Sequence, residues 1–266
     1  MKPVYFQEFV DLFSKILSSN EEFVALAAGG SWVEGRMDRF SDIDLVIVHN
    51  SETISLLEKR ALAQSAGELL ACFTGEHVGE PRLLICLYNN PMLHVDLKFV
   101  HLPDMSIRVE DPVVIWERDY LLTNLLKQSG AEFPFPDFQW IEDRFWVWIH
   151  YAATKIGRGE FFEATTFLSF IQQNVLGPLA LIKNNELPKG VRKIEMLLPN
   201  DDLEFMKSTM AEHNRQSCLT ALRNAVQYYT VLRESVMPAS NLRNQKAEEA
   251  VMTYLSEISE SGNLKQ

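Results

Sequence analysis

Hydrophobic residues in the first part of the chain follow first a helical and then a strand-like spacing. Phe6, Phe9 and Phe13 recur at helical intervals, so the pattern predicts an amphipathic helix over residues 5–19. A second helix is predicted over residues 52–72. Short apolar or alternating runs bounded by turn residues predict strands over 23–28, 42–48, 82–88 and 93–101. This order of elements predicts a mixed α/β domain.

The pattern changes after Asp111-Pro112, where apolar residues begin to recur mainly at helical spacing. Residues 113–116 could add one further strand to the preceding sheet. Helices are predicted over 140–156, 160–182, 203–213 and 219–236. Residues 261–266 are expected to fray at the end of the chain.

We therefore predict an α+β (mixed α/β) protein of two domains. Residues 1–112 would form a small mixed sheet flanked by helices, and residues 113–266 an all-α helical bundle. A ligand site is expected between the two, because pockets favour domain interfaces.

The charge of the chain narrows the class of partner. A formal net charge of −11 disfavours a sequence-independent grip on nucleic acid, which depends on Lys and Arg neutralising phosphates. The same charge favours the approach of a cationic small molecule. We therefore expect small-molecule partners and no long nucleic acid.

The cysteines and the apolar runs point to an intracellular protein. Cys72, Cys86 and Cys218 lie far apart and are odd in number, which favours neither a disulfide framework nor a structural zinc site. The apolar N-terminal residues are interrupted by Glu8 and Asp11, and no apolar stretch is long enough to span a bilayer. We expect a cytoplasmic protein without a membrane partner.

Two aspartates at the head of an apolar run carry the clearest chemical signal. Asp42 and Asp44 are separated by one residue, so a strand would point both side chains to one face, as a divalent metal site requires. Asp96 stands in a similar alternation with apolar neighbours. Upstream, Gly29-Gly30-Ser31 follows an apolar run and could bring backbone N–H groups close to a phosphate.

Together these residues resemble the nucleotidyltransferase superfamily that includes polymerase beta and the antibiotic nucleotidyltransferases. The pattern is an apolar strand, Gly-Ser, a short helix, Asp-x-Asp on the next strand and a lone acidic residue on a later strand. Gly30-Ser31, Asp42-Ile43-Asp44 and Asp96 match it in order and spacing. Residues 38–44 look most like bacterial aminoglycoside and lincosamide nucleotidyltransferases.

The resemblance implies a set of residue roles. Asp42 and Asp44 would bind Mg²⁺, with two ions expected, and Gly30 and Ser31 would hold the phosphates of ATP or another nucleoside triphosphate. Asp96 would complete the metal site or deprotonate the acceptor, so the implied catalytic residues are these three aspartates. Residues 1–112 would then be the catalytic domain and residues 113–266 a substrate-binding domain.

The implied reaction transfers a nucleoside monophosphate, expected to be AMP from ATP, to a hydroxyl of a small molecule and releases pyrophosphate. The acceptor would be an aminoglycoside- or lincosamide-like antibiotic. Two alternatives stay open: a protein-modifying adenylyltransferase, and a non-catalytic nucleotide-binding module on the same fold. Mutually repelling carboxylates disfavour the module, since it would gain nothing from them. The sequence leaves the oligomeric state open.

Some residue roles have competing interpretations. Ser31 could cap the following short helix, and Arg36 could contact the triphosphate or pair with Glu34. In some aminoglycoside enzymes a Glu and a Lys one turn apart supply the base and a phosphate contact. Lys155 could be that lysine, but Tyr151 stands where the acid would be. Asp96 is then the favoured base, with three acidic alternatives: Glu76, Glu80 and Glu163.

Overall fold

The chain is described by a computed structural model that covers residues 3–261, so most of the segment expected to fray lies outside the described residues. It forms two compact units, Met1–Phe133 and Pro134–Gln266. The division falls later than residue 112, because the strand that follows residue 112 pairs within the sheet of the first unit. The catalytic and substrate-binding roles assigned to the two parts stay predictions.

The first unit contains a six-stranded mixed sheet in the order β3-β4-β5-β2-β1-β6. Only β2 and β5 run parallel to each other, and the other neighbouring strands are antiparallel. The strands are β1 Phe23–Ala28, β2 Ile43–His49, β3 Glu68–Gly75, β4 Glu80–Asn89, β5 Leu93–His101 and β6 Val113–Glu117. The helices are α1 Val4–Ser18, α2 Leu56–Ser65 and α3 Leu121–Leu126. The predicted mixed α/β class is confirmed.

Alternation at the start of β2 places apolar and acidic side chains on opposite faces of the sheet. Ile43, Leu45 and Ile47 are buried in one cluster with the apolar face of α1. Because successive strand residues point to opposite faces, Asp42 and Asp44 lie on the other side of the sheet. The buried face thus fixes the register that exposes the acidic face.

The predicted helix over residues 52–72 was wrong in its last turns. Helix α2 ends at Ser65, and residues from Glu68 onward form β3 instead. Gly67 has a φ of 157°, which ends the helix. Strand β3 lies at the edge of the sheet with Leu70 and Phe73 half-exposed, so it shows no clear alternation in sequence. A short apolar run of this kind cannot be told from a helix by its period alone.

The second unit is helical, as predicted. The predicted helix over residues 160–182 is divided by a π-helical segment, Gln172–Leu176, and the sequence prediction missed the last helix altogether. Within residues 3–261, no helix is both long and apolar enough to cross a membrane. The helices are α4 Phe138–Arg158, α5 Phe161–Ile171, α6 Gly177–Lys183, α7 Ile194–Leu197, α8 Asn200–Ser208, α9 Arg215–Val236 and α10 Gln245–Ser261.

Candidate functional site

The parallel pair of strands brings two of the predicted aspartates side by side. Asp44 on β2 and Asp96 on β5 are register partners. Asp42 immediately precedes β2, and all three side chains are half-buried. The alternation that buries Ile43 and Leu45 therefore leaves the three aspartates on one face of the sheet.

Asp96 has a polar neighbour on its own strand. The Nε2 atom of His94 lies 3.0 Å from Oδ1 of Asp96, and the His94 side chain is exposed. In the tautomer that carries its proton on Nε2, His94 donates a hydrogen bond to the carboxylate. The two side chains therefore form a polar pair on one face of β5.

The predicted glycine turn lies directly against Asp44. The backbone N–H of Gly29 donates to the carbonyl oxygen of Asp44 at 2.9 Å. Gly30 has a φ of 57°, and a Cβ atom added there would lie 2.0 Å from Oδ2 of Asp44. Only glycine combines this backbone conformation with so close an approach.

The other predicted residues of the turn differ in their surroundings. Oγ of Ser31 is buried and is without a hydrogen-bond partner among the residues that the structure describes. Arg36 is exposed, and its backbone N–H donates to the carbonyl oxygen of Ser31 at 3.2 Å. A buried hydroxyl without a partner costs free energy, which an incoming oxygen atom would recover.

One residue of this region was missed by the sequence prediction. The backbone N–H of Gly30 donates to Oε1 of Glu110 at 2.7 Å. Glu110 lies 80 positions further along the chain, in the connection between β5 and β6, and no motif surrounds it. No sequence signal could have linked it to the glycine turn.

The donor set fits Mg²⁺ only if other ligands contribute. Residues 3–261 contain no group of three or more His, Cys, Asp or Glu side chains placed to hold a metal ion. Mg²⁺ is usually bound through one or two carboxylates together with waters and substrate phosphates. The adjacent carboxylates of Asp44 and Asp96 fit that smaller donor set.

Lys155, the predicted phosphate contact of the second unit, is already paired with acidic side chains. Its Nζ atom lies 2.9 Å from Oε2 of Glu160 and 2.9 Å from Oε1 of Glu163. Hydrogen bonds from Lys155 to Glu160 and Glu163 raise the pKa of the lysine. Tyr151 also donates to Glu163, so the four side chains form one network.

The three acidic alternatives to Asp96 are weakened as bases by their partners. A hydrogen bond from Arg82, aided by Lys98, lowers the pKa of Glu80 to about 2. Hydrogen bonds from Tyr151 and Lys155 lower the pKa of Glu163, and one from Thr74 lowers that of Glu76. A lowered pKa reduces the driving force for taking a proton from a hydroxyl group.

Comparison with known families agrees with this geometry. Residues 10–72 match the family model described as a nucleotidyltransferase domain. The match includes the glycine turn, Asp42 and Asp44, but ends before Asp96. It confirms the resemblance to the nucleotidyltransferase superfamily and supports general nucleotidyl transfer. No curated protein matches the chain.

Solved structures with a similar arrangement include two adenyltransferases. An aminoglycoside 6-adenyltransferase from Bacillus subtilis is 16% identical with a TM-score of 0.40, covering 95% of this chain and 98% of its own. Spectinomycin adenyltransferase from Enterococcus faecialis, solved with ATP and spectinomycin, is 11% identical with a TM-score of 0.31, covering 95% and 99%.

Proposed function

We propose that the protein is a Mg²⁺-dependent nucleotidyltransferase that moves a nucleoside monophosphate, AMP from ATP, onto a hydroxyl of a small molecule. The observation that carries the proposal is the register pairing of Asp44 with Asp96 beside a glycine turn that contacts Asp44. Nucleotidyl transfer needs carboxylates and a phosphate-binding backbone at one place. The first unit supplies both.

The proposed roles follow from the chemistry of each group. Asp44 and Asp96 would hold Mg²⁺ together with phosphate oxygens, and Asp42 would join them from the same face of the sheet once these are bound. Two ions are expected, and they would neutralise the charge on the phosphate chain. The backbone of Gly30 and the unpartnered hydroxyl of Ser31 would bind phosphate oxygens. Arg36 is exposed and would add a charge-assisted contact.

The proposed transfer needs only the acceptor hydroxyl and the nucleoside triphosphate as reactants. The hydroxyl oxygen of the acceptor forms a bond to the α-phosphorus, while the bond from that phosphorus to the bridging oxygen breaks. Pyrophosphate leaves, and Asp96 takes the proton of the hydroxyl. Asp96 is the preferred base because it stands beside Asp44, whereas Glu80 is paired with Arg82 and Lys98, and Glu163 with Tyr151 and Lys155.

The acceptor class is proposed to be an aminoglycoside- or lincosamide-like compound. The net charge of −11 supports a cationic acceptor, because opposite charge favours its approach. Lys155 would contact phosphate only by exchanging its two carboxylate partners for phosphate oxygens. We therefore expect it to contribute less than Gly30 and Ser31.

A labelling experiment tests this function. The protein is incubated with Mg²⁺ and each of the four α-labelled ribonucleoside triphosphates, with a panel of aminoglycosides and lincosamides or with cell lysate. Label from ATP on a small molecule, with one pyrophosphate released per transfer, is the expected result. Label on a protein band would favour protein adenylylation instead. Calorimetry that finds no Mg²⁺-dependent nucleotide binding would overturn the proposal.

A further inference from the structure

The glycine turn donates a hydrogen bond to an anion that belongs to the chain itself. Oε1 of Glu110 accepts from the backbone N–H of Gly30 at 2.7 Å. A Cβ atom added at Gly29 would lie 2.8 Å from the same carboxylate oxygen, so the carboxylate also fills the space beside that residue. Glu110 therefore holds the position and the donor that a phosphate oxygen would use in this turn.

We propose that Glu110 sets the affinity of the site for triphosphates by competing with phosphate oxygens for the N–H of Gly30. The inference rests on the proposed function, because it assumes that a nucleotide binds at the glycine turn. A carboxylate and a phosphate are both anionic acceptors, so the same backbone donor serves either one. Nucleotide binding then requires the Glu110 carboxylate to leave the turn.

The backbone around Glu110 is anchored, which keeps its carboxylate within reach of the turn. The side chain of Arg108 is only 7% exposed and lies 2.6 Å from Oδ1 of Asp111. Arg108 also donates to the carbonyl oxygens of Ser129, at 2.6 Å, and Leu126, at 3.0 Å. Glu110 thus stands between two tethered residues, and its side chain can move while its backbone stays in place.

The negative charge of Glu110 also opposes the binding of a triphosphate. Asp44 lies beside the same turn, and its Cβ is 3.8 Å from the Cβ position of Gly29. The carboxylate of Glu110 therefore increases the negative charge near a site proposed for a polyanion. Removing that charge should strengthen triphosphate binding even when the hydrogen-bond acceptor is kept.

The test is the affinity of three variants for ATP with Mg²⁺, measured by calorimetry on the full chain. Glu110→Ala frees the donor and removes the charge, and we expect about 10-fold tighter binding, the size of one charge-assisted hydrogen bond that need not be broken. Glu110→Gln keeps an acceptor without the charge and should fall between Glu110→Ala and wild type. Glu132→Ala removes the same charge from an exposed residue of the same unit and should bind as wild type does.

Adenosine supplies a second probe because it has no phosphates. Its affinity should be equal in all four proteins, whereas a general loosening of the site would change it too. If Glu110→Ala unfolds at the same temperature as wild type but binds ATP no more tightly than wild type does, Glu110 does not compete with phosphate for the Gly30 N–H. If wild type binds ATP normally in that case, the proposed nucleotidyl transfer is unaffected. If no variant binds any nucleotide, both proposals fall.

Discussion

Asp44 and Asp96 occupy matching register positions on the only parallel pair of strands in the sheet. Their carboxylates come from distant parts of the sequence and share one face of the sheet. Like charges placed so close repel each other, and a bound cation would relieve that repulsion. The same carboxylates should therefore favour nucleotidyl transfer and lower the stability of the fold without Mg²⁺.

Asp44→Asn should therefore reduce activity without reducing stability. We expect nucleotidyl transfer to fall by about 100-fold or more, as when a group that stabilises transition-state charge is removed. The melting temperature without Mg²⁺ should be equal to wild type or higher, since one repulsion is gone. Transfer assays and thermal unfolding measure the two effects.

Asp104→Asn is the matched control for that variant, since Asp104 is exposed in the turn after β5. It should leave both the rate and the melting temperature unchanged. Full activity in Asp44→Asn would remove this aspartate from the catalytic set.

Gly30→Ala should lower both nucleotide affinity and stability. The new Cβ atom would lie 2.0 Å from Oδ2 of Asp44, and the residue would keep a positive φ. We expect a loss of about 1–3 kcal/mol in the free energy of unfolding, from strain and displacement of the aspartate. Chemical denaturation and ATP titration provide the measurements.

Gly35→Ala is the natural comparison, because Gly35 has a similar φ of 64° and no atom within 4 Å of its Cβ position. It carries the backbone strain without the collision. If the two variants bind ATP equally, the close approach to Asp44 has no functional importance.

Glu80 should contribute stability that is lost in acid. Its pKa is lowered to about 2 from an ordinary value of 4.5, first by a hydrogen bond from Arg82 and then by Lys98. A lowered folded-state pKa stabilises the protein above pH 4.5, and this contribution disappears as the pH falls towards 2. Allowing for solvent screening of a partly exposed group, we expect about 1 kcal/mol.

Glu80→Gln should lack this contribution at pH 7 and match wild type near pH 2. Denaturant unfolding of both proteins at intervals of pH gives the comparison. Parallel curves over the whole range would show that the ion pairs of Glu80 add nothing to stability.

Arg233 should stabilise the second unit through a buried ion pair. Its Nη1 atom lies 3.0 Å from Glu248 and 3.4 Å from Glu142, whose side chain is 1% exposed. Arg233→Met leaves the Glu142 carboxylate buried without its cation, at an expected cost of about 3–5 kcal/mol in the free energy of unfolding. Adding Glu142→Gln should recover part of that loss, because no uncompensated buried charge remains. Urea unfolding tests both.

The exposed pair of Arg243 with Glu234, at 3.6 Å, supplies the control. Arg243→Met should change the free energy of unfolding by no more than about 1 kcal/mol. Equal losses in the two arginine variants would contradict a special role for the buried pair.

A clear hydrophobic pattern in the sequence was enough to predict several elements of the buried core. The predicted strands over 23–28 and 93–101 have the bounds of β1 and β5, and the first predicted helix corresponds to α1. Strand β5 alternates and α1 repeats at helical spacing because one face of each is buried, whereas β1 is a continuous apolar run because all six of its residues are buried. The edge strand β3 was read as helix because an exposed strand carries little periodic signal. Helix α10 was missed although Val251, Leu255 and Ile258 recur at helical spacing and are buried.

The sequence by itself determined the mixed sheet, the helical second part and the Gly-Ser and Asp-x-Asp motifs, because these depend on residues near each other in the chain. Only the tertiary structure decided that Asp96 stands beside Asp44, that Glu110 occupies the Gly30 N–H and that Lys155 is paired with Glu160 and Glu163. Strand pairing and loop approach join positions that are distant in sequence, and no local pattern records which of them will meet.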